Sequence, residues 1–441
     1  MKSIKLVITL IGLLSFSQGF AQQTLTLKEA LKYAIDNNQN AKKSRLDIEG
    51  GKQKTNEVRA AALPQVNGSA NLAYNPIIGQ LVTDMGAFKM GRAWNSGAGI
   101  QVDQQLFNQQ VFTGLKAAKV SEDYYSLNAT LTEEQVIEQT ANSYYQILVN
   151  KQQLSVIDTN IKNIKVIDKM ITNQYNNGLA KKIDVDRIKV NLTNLETQRE
   201  QLVNAVEQLE IQLKLAMGMP VNTKISLHPA ELKNVNSLPL LESDINVNSR
   251  TELQLMDVQR TLLDLQRKAY VSEYYPTLAL SGSYNYTTMT STFDPFKTKS
   301  MDKGSVGYDA SAIGLSLRVP IFSGLRTRSK VKQAEIDILK AEEDTKATTN
   351  ALNASYENAK IQLKNSFSTI QSQRKNVKLA QEIYNSTQNN YNNGLASLTD
   401  LLDTENALTQ AQNSYNQALL NYKIAEIQLI KSQGNIKTLL N

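Results

Sequence analysis

The sequence predicts a mainly helical fold with membrane β-strands, in which one plan of helix, strand, strand, helix, turn and helix occurs twice. The first observation behind this prediction is the hexapeptide YNNGLA, which occurs at residues 175–180 and again at residues 391–396, 216 positions later (391 − 175). Other residues match at the same offset, for example Asp184 with Asp400. The second observation is that four segments of alternating polarity come in two pairs, one pair in each copy. A repeat in constant register indicates a duplicated structural unit.

The N-terminal segment has the pattern of a secretory signal. Lys2 and Lys5 precede an apolar run over residues 6–14, and residues 19–21, Gly-Phe-Ala, form a small-residue cleavage site. This pattern predicts a signal peptide over residues 1–21 and export by the Sec route. The chain has no Cys, so we expect neither disulfide bonds nor a lipid anchor on a mature N-terminal cysteine. No later apolar run approaches the roughly 18 residues that a transmembrane helix needs.

The first copy of the plan is predicted over residues 22–220. A capping-box sequence at residues 26–29 starts a helix that ends at Pro64, with a break near residues 37–38. From there the polarity alternates from one residue to the next, which predicts a β-hairpin over residues 65–107.

A long helix is predicted from residue 109 to residue 175, because apolar residues recur every seven positions, as in a coiled coil. At a rise of 1.5 Å per residue it would be about 100 Å long, so we expect an elongated protomer. The first YNNGLA ends this helix, a return helix follows over residues 183–217, and a proline-containing linker is predicted over residues 221–240.

The second copy is predicted over residues 241–441 and repeats these elements. A helix from about residue 243 leads into a β-hairpin over residues 276–322. A second long helix with the seven-residue pattern then runs over residues 325–391. The second YNNGLA and a second return helix complete the copy.

Four strands and these helices do not form a self-sufficient fold. Each strand is about as long as a tilted strand that crosses an outer membrane, but the smallest closed barrels have about eight strands, and open edges cannot face lipid. The helices carry about two apolar positions in seven, which holds neighbouring helices together but does not bury them in a globular core. We therefore expect several chains to close one barrel, with helices that border a water-filled interior.

Several motifs together resemble the TolC family of outer-membrane efflux proteins, over essentially the whole chain after the signal. They are LTLKEALKYAIDNN, ALPQVNGSANLAY, YYPTLALSGSYNY, LRVPIFSGLRTRSKV and the two YNNGL turns. The first copy of the strand-to-helix junction departs from the second, with Gln105 in the place of Pro320. The resemblance implies a homotrimer that forms a 12-stranded β-barrel on a long α-helical periplasmic tunnel.

The resemblance also implies the function. Such a protein is a passive exit duct in the lipid of the outer membrane of a Gram-negative bacterium. A periplasmic adaptor docks on its helical tips and joins it to an inner-membrane transporter that exports small molecules. A duct for type I protein secretion is an alternative within the family. A non-pore exported coiled-coil scaffold or adhesin is an alternative outside it.

The two tips are the predicted docking surface. Gly is expected where two antiparallel helices reverse, because it adopts left-handed backbone angles. A good helix turn does not itself require the apolar residue that follows each Gly, and the resemblance implies that the adaptor binds there, at six nearly equivalent places in a trimer. The residues of this surface are Gly178, Leu179 and Ala180 at the first tip and Gly394, Leu395 and Ala396 at the second.

A periplasmic gate is predicted beside the tips. Asp400 and Asp403 share a helix face, so a trimer would stack two rings of three carboxylates, which favour cations and raise each other's pKa. The alternative is that an Asp in the first helical turn only stabilises the helix dipole. The resemblance further implies a contact between Tyr391 and Asp184 and an Arg where this chain has Ala396, a place that Arg187 could fill. The predicted gate residues are Asp184, Arg187, Tyr391, Asp400 and Asp403.

Other functional classes find little support in the sequence. The single histidine, His228, lies in the predicted linker, and no phosphate-binding loop or metal-ligand spacing occurs. We therefore expect no enzyme activity, no cofactor and no metal site. The formal net charge is +7, but the basic residues are spread among acidic and amide residues, which indicates solvated helix faces and no nucleic-acid partner.

Overall fold

The computed structural model describes residues 23–232, 247–293 and 305–441. The predicted signal peptide, residues 233–240 of the predicted linker, the predicted start of the second copy near residue 243 and the loop at residues 294–304 lie outside the described residues. Within them, no helix has the length and apolar character needed to cross a membrane.

The elements follow the predicted duplicated order. The first copy contains a broken helix, a strand pair, a long helix and a return helix, and the second copy contains the same elements with one unbroken first helix. The helices are α1 (Leu27–Asn37), α2 (Gln39–Ala60), α3 (Gln109–Asn176), α4 (Lys182–Met217), α5 (Thr251–Val271), α6 (Arg326–Asn392) and α7 (Leu398–Ser432). The strands are β1 (Gln23–Leu25), β2 (Gln65–Tyr74), β3 (Gln80–Thr83), β4 (Gly86–Lys89), β5 (Trp94–Phe107), β6 (Ile225–Leu227), β7 (Thr277–Thr290) and β8 (Ser305–Arg318).

The chain forms two compact units, each assembled from both copies. One unit contains the described residues 46–127, 255–293 and 305–345 and includes the main sheet. The other contains the described residues 23–45, 128–232, 247–254 and 346–441 and includes most of the long and return helices. We call these the sheet unit and the helical unit.

The sheet unit joins the two strand pairs into one antiparallel sheet of four strands in the order β2-β5-β7-β8. Its register confirms the predicted alternation. Val66 pairs with Val102, Val102 with Gly282 and Gly282 with Ile313, so this apolar row crosses all four strands on one face. The side chains of Val66 and Ile313 are 65% and 87% exposed, because nothing in the described part of the protomer covers this face.

In the helical unit, α1 begins with the predicted capping box. The Thr26 side chain accepts a hydrogen bond from the Glu29 backbone, and the Glu29 carboxylate accepts one from the Thr26 backbone at 2.8 Å. The predicted break also occurs, at Asn38. The Asn38 side chain accepts from the Ala41 backbone at the start of α2 and donates to the Ala216 carbonyl of α4 at 2.7 Å. One asparagine therefore ends α1, caps α2 and holds the end of the return helix.

Two features of the helical unit were not predicted. β1 and β6 pair in parallel, and the His228 backbone donates to the Leu25 carbonyl at 3.1 Å, so part of the predicted linker is ordered structure. Gly218 ends α4 with φ 69°, and a Cβ there would collide with the carbonyl of Asn37. Gly218 is thus required both by its backbone angle and by the close approach of α1.

Candidate functional site: the paired helical tips

Both helical hairpins reverse through the same backbone turn. At the first tip, Gly178 has φ 73°, its N–H donates to the Tyr175 carbonyl at 2.9 Å, and the Leu179 N–H donates to the Gln174 carbonyl at 2.8 Å. The second tip repeats this pattern around Gly394, also with φ 73° and with bonds of 3.0 and 2.8 Å. This pair of bonds is the Schellman motif, whose left-handed residue is usually Gly. The repeated YNNGL is therefore the sequence of a specific helix-ending turn.

The leucine after each glycine remains outside its turn. A Schellman turn is often closed by an apolar contact from this position, yet the Leu179 side chain is 79% exposed and the Leu395 side chain is 78% exposed. Ala180 and Ala396 are half-buried, and Ala180 packs against the core beneath the tips. The protomer therefore presents two uncovered leucines, one on each tip.

The return helices start differently. α7 begins with a capping box in which Ser397 accepts from the Asp400 backbone, and the Asp400 carboxylate accepts from the Ser397 backbone at 2.9 Å and from its hydroxyl at 2.7 Å. α4 begins after Lys181, whose side chain makes no capping hydrogen bond. Asp184 lies in the first turn of α4, so its charge faces the positive end of the helix dipole.

The two predicted gate carboxylates of α7 are both exposed. Asp403 lies three residues after Asp400, on the same helix face. The hydrogen bonds from the Ser397 hydroxyl and backbone lower the pKa of Asp400. This effect opposes the increase that neighbouring carboxylates in a ring would cause. Asp400 therefore has a helix-capping role within the protomer, and its gate role remains a prediction.

Tyr391 and Asp184, from different hairpins, lie within electrostatic reach of each other. Tyr391 is half-buried against the core, and its burial, followed by the negative charge of Asp184, raises the pKa of its hydroxyl. No hydrogen bond joins the two side chains in the described part of the chain.

Arg187 joins the two hairpins directly. Its guanidinium donates to the Thr399 hydroxyl at 2.7 Å, which links the first turn of α7 to the start of α4. Arg187 therefore contacts the second hairpin close to Ala396, the position at which the resemblance led us to expect an Arg.

An apolar core beneath the tips fixes the two hairpins side by side. It draws on α3, α4, α6 and α7 and consists of buried isoleucines, leucines, one valine and one tyrosine. Its members are Ile157, Ile161, Ile164, Ile167, Ile171, Val185, Ile188, Leu195, Tyr384, Leu398, Leu401, Leu402 and Leu408.

One charged residue in this region was not singled out from the sequence. The Glu405 side chain is 3% exposed, and neither carboxylate oxygen has a hydrogen-bond partner within residues 23–232, 247–293 and 305–441. Burial raises the pKa of Glu405 to about 7. On α6, the Tyr384 hydroxyl also has no hydrogen-bond partner among the described residues, and its burial, followed by the charge of Glu405, raises its pKa. The sequence pattern could have identified Glu405 as a buried residue, because it lies between Leu401 and Leu408 on the apolar stripe of α7.

The described residues contain no group of three or more His, Cys, Asp or Glu side chains placed to hold a metal ion. The paired tips instead offer exposed leucines, exposed carboxylates and one cross-hairpin arginine. Such a surface is suited to binding another protein and to influencing which ions pass.

Comparisons with known proteins identify the family and the fold of the chain. The family model described as outer membrane efflux protein matches residues 30–219 and 247–435. The outer membrane protein TolC of Escherichia coli is 24% identical over an alignment of 449 positions, gaps included, which covers 98% of this chain and 87% of TolC. The alkaline protease secretion protein AprF of Pseudomonas aeruginosa is 21% identical over 420 residues, 91% of this chain and 82% of AprF. The crystal structure of the outer membrane protein VceC of Vibrio cholerae superimposes with a TM-score of 0.71 at 14% identity, covering 92% of this chain and 96% of VceC.

The family match excludes the predicted alternative of a non-pore scaffold, and the structural likeness confirms the predicted fold class. The family consists of channel proteins and not of enzymes. The chain belongs to the outer membrane efflux protein family, and it is a passive exit duct in the outer membrane of a Gram-negative bacterium.

Proposed function

We propose that three copies of this chain assemble into one duct, export small molecules and open at the helical tips. The sheet supports this assembly, because β2 and β8 are its edge strands and no other described strand pairs with their outer backbone groups. These groups must be paired before the sheet can face lipid. Three sheets of four strands give a closed barrel of 12. The exposed apolar row that includes Val66 and Ile313 would then face the membrane lipid.

The proposal that an adaptor docks at the tips rests on the two exposed leucines. Leu179 and Leu395 are the apolar ends of two hairpins that lie side by side, and apolar side chains this exposed commonly mark a binding surface. A periplasmic adaptor that covers both tips would connect the duct to an inner-membrane transporter. Gly178 and Gly394 fix the turns that present these leucines, and Ala180 and Ala396 leave room beside them.

The gate is proposed at the start of the return helices. Asp400 and Asp403 of three copies would form two rings of carboxylates at the narrow end of the duct and favour cations. Arg187 with Thr399, and Tyr391 beside Asp184, would hold the two hairpins of a copy together in the closed state.

The proposal also includes a signal peptide that is cleaved and a division of the chain into two structural copies. A signal peptide over residues 1–21 would direct export and be cleaved after Ala21. The two copies of the structural plan, residues 22–220 and 241–441, would be related by duplication and joined by the segment 221–240.

The gate is tested by single-channel conductance of the detergent-purified protein in a planar bilayer. Asp400→Asn/Asp403→Asn removes both charges but keeps hydrogen-bonding groups, and Asp257→Asn, an exposed site on α5, serves as the matched control. We expect a small, cation-preferring conductance in the wild type and in the control, and a loss of the preference in the double variant. Unchanged selectivity in the double variant would reduce Asp400 to helix capping.

Docking is tested with the purified duct and the periplasmic adaptor encoded by the same organism. Leu179→Ser/Leu395→Ser should weaken binding at least tenfold, measured by surface plasmon resonance. Leu339→Ser is the matched control, because Leu339 is 60% exposed on α6 but lies far from the tip turn in sequence. Equal binding by all variants would exclude the leucines from the docking surface.

Protein secretion is a second candidate substrate class, because AprF, a relative over most of this chain, is named for protease secretion. A deletion strain separates the two. Loss of resistance to small toxic compounds with an unchanged set of secreted proteins supports small-molecule export, and the reverse result supports protein secretion.

A further inference from the structure

One polar contact fastens the first hairpin to the second within a protomer. The Asn160 side chain of α3, which is 4% exposed, donates to the Thr409 hydroxyl of α7 at 2.6 Å. That hydroxyl in turn donates to the Glu405 carbonyl one helical turn earlier, at 2.9 Å. The backbone bond fixes the threonine rotamer, so its oxygen is held ready to accept from asparagine.

The internal repeat places an asparagine and a threonine also on the two other helices of the hairpins, α6 and α4. At the offset of 216 residues set by the YNNGLA turns, Asn160 corresponds to Asn376 on α6, and Thr409 corresponds to Thr193 on α4. Within the protomer, the first hairpin supplies the asparagine donor and the second supplies the threonine acceptor. Each hairpin therefore also carries the residue type that the other one contributes to this contact.

These two counterparts are exposed, but they are arranged like the buried pair. The Thr193 hydroxyl donates to the Lys189 carbonyl at 2.9 Å, as Thr409 does to Glu405, and it accepts no hydrogen bond in the described part of the chain. The Asn376 amide makes one long bond, of 3.3 Å, to Gln373 on its own helix.

The apolar surroundings show the same relation. Ile167 lies one turn beyond Ile164 in the core and is 4% exposed, whereas its counterpart at the same offset, Ile383, is 47% exposed. Ile383 lines a groove between α6 and α7 together with Asn376 and Ala380. Thr193 lines a separate groove between α3 and α4. The groove of α6 and α7 therefore carries the asparagine, and the groove of α3 and α4 the threonine, of a pair like the one that Asn160 and Thr409 form inside the protomer.

We infer that a second copy of this chain covers these faces, with Asn376 of one copy donating to Thr193 of the next. Repetition of one head-to-tail contact closes a ring when the rotation allows. In a ring of three copies, three such contacts would alternate with the three Asn160 to Thr409 contacts. The inference rests on the proposed trimer and names the surface through which its helical parts meet.

The two kinds of contact differ in charge at one position. Lys189 in the first copy of the plan corresponds to Glu405 in the second. The contact between chains therefore carries a cation beside Thr193, where the contact within the chain carries a buried carboxyl group beside Thr409. This difference distinguishes the two otherwise similar interfaces.

Cysteine cross-linking tests the inference directly, because the chain contains no Cys. Asn160→Cys/Thr409→Cys is the calibration pair, and the shortest bifunctional thiol reagent that links it within one chain is then used for Thr193→Cys/Asn376→Cys. The latter pair should give covalent dimers and trimers on a denaturing gel. Thr193→Cys/Lys375→Cys, with the second cysteine one residue away on α6, is the matched control and should remain monomeric.

Coexpression of two differently tagged single variants, Thr193→Cys and Asn376→Cys, shows whether the link joins separate chains. A cross-linked dimer with both tags supports the inference. Native mass spectrometry of each variant before cross-linking shows whether a missing cross-link means a wrong contact surface or the absence of a trimer. A trimer in which only the calibration pair links overturns the proposed surface, as does a link found only within one chain. A protein that is never trimeric overturns the proposed assembly itself.

Discussion

The return helix of the first tip starts after Lys181 without a side-chain cap, whereas that of the second tip starts after Ser397 with a capping box. Both follow the same Schellman turn with the same glycine φ of 73°. The two copies therefore share the reversal of the backbone but differ in how the next helix is held.

Burial shows the same difference. Lys182 and Asp186 of α4 are exposed, but their counterparts in α7, Leu398 and Leu402, are buried. Val185 and Leu401 are buried in both copies. The second return helix thus has more apolar anchors in the core as well as a better cap. The turn is the shared structural requirement, and the anchoring is where the tips diverge, so we expect the first tip to open more readily.

The largest expected effect comes from the shared anchor. Leu401→Ala should lower the free energy of unfolding by about 2–5 kcal/mol, because the side chain is 1% exposed and its removal leaves a cavity. Val185→Ala at the first tip removes a smaller side chain and should cost about 2 kcal/mol or less. Urea unfolding of the detergent-purified protein measures both. An equal loss at the two sites would contradict the stronger anchoring of the second tip.

The next effect depends on pH and is confined to the second copy, since the counterpart of Glu405 is the exposed Lys189. The pKa of Glu405 is raised to about 7 in the folded protein, so the folded state binds more protons than the unfolded state between the ordinary value of 4.5 and about 7. Stability should therefore fall as pH rises through this window.

Glu405→Gln removes the titrating group. It should raise the melting temperature at pH 8 relative to wild type, by an amount equivalent to about 1–3 kcal/mol, and have little effect at pH 4.5. Glu357→Gln, at an exposed site on α6, is the control and should leave the pH profile unchanged. A parallel shift of the Glu405→Gln curve at every pH would mean that the carboxyl group is not the cause.

Substitution of the two tip glycines tests the Schellman turn that both tips share. Gly178→Ala and Gly394→Ala should each cost about 1–2 kcal/mol, because both glycines have φ 73° and a Cβ there meets no atom within 4 Å, so the loss comes from backbone strain alone. Gly50→Ala, within helix α2, also adds a Cβ in open space but should stabilise the protein by up to about 1 kcal/mol. Clearly unequal losses at the two tips would show that the turns are not equivalent.

Much of this comparison could be predicted from the sequence, because its signals are local. The YNNGL repeat, the capping box of residues 26–29 and the alternating strands each depend on neighbouring residues. The pairing of β1 with β6 could not be predicted, since three-residue strands are too short for a pattern and their partners lie about 200 positions apart. The cap at Ser397 was missed because its partner at N3 is Asp400, which the resemblance had assigned to the gate.

The smallest expected effect concerns this cap. Ser397→Ala removes the hydroxyl that accepts from the Asp400 backbone, and it should cost about 0.5–2 kcal/mol. Lys181→Ala, at the equivalent position of the first tip, removes no capping bond and should have almost no effect. Hydrogen exchange followed by mass spectrometry gives a direct view of each helix start.

In the wild type, peptides over residues 398–402 should exchange more slowly than those over 182–186, because more of their side chains are buried and their first turn is capped. Ser397→Ala should bring the two rates closer together without affecting the first tip. If the first tip is instead the slower one, Arg187 with Thr399 holds it more firmly than a capping box holds the second, and the order in which the tips open would be reversed.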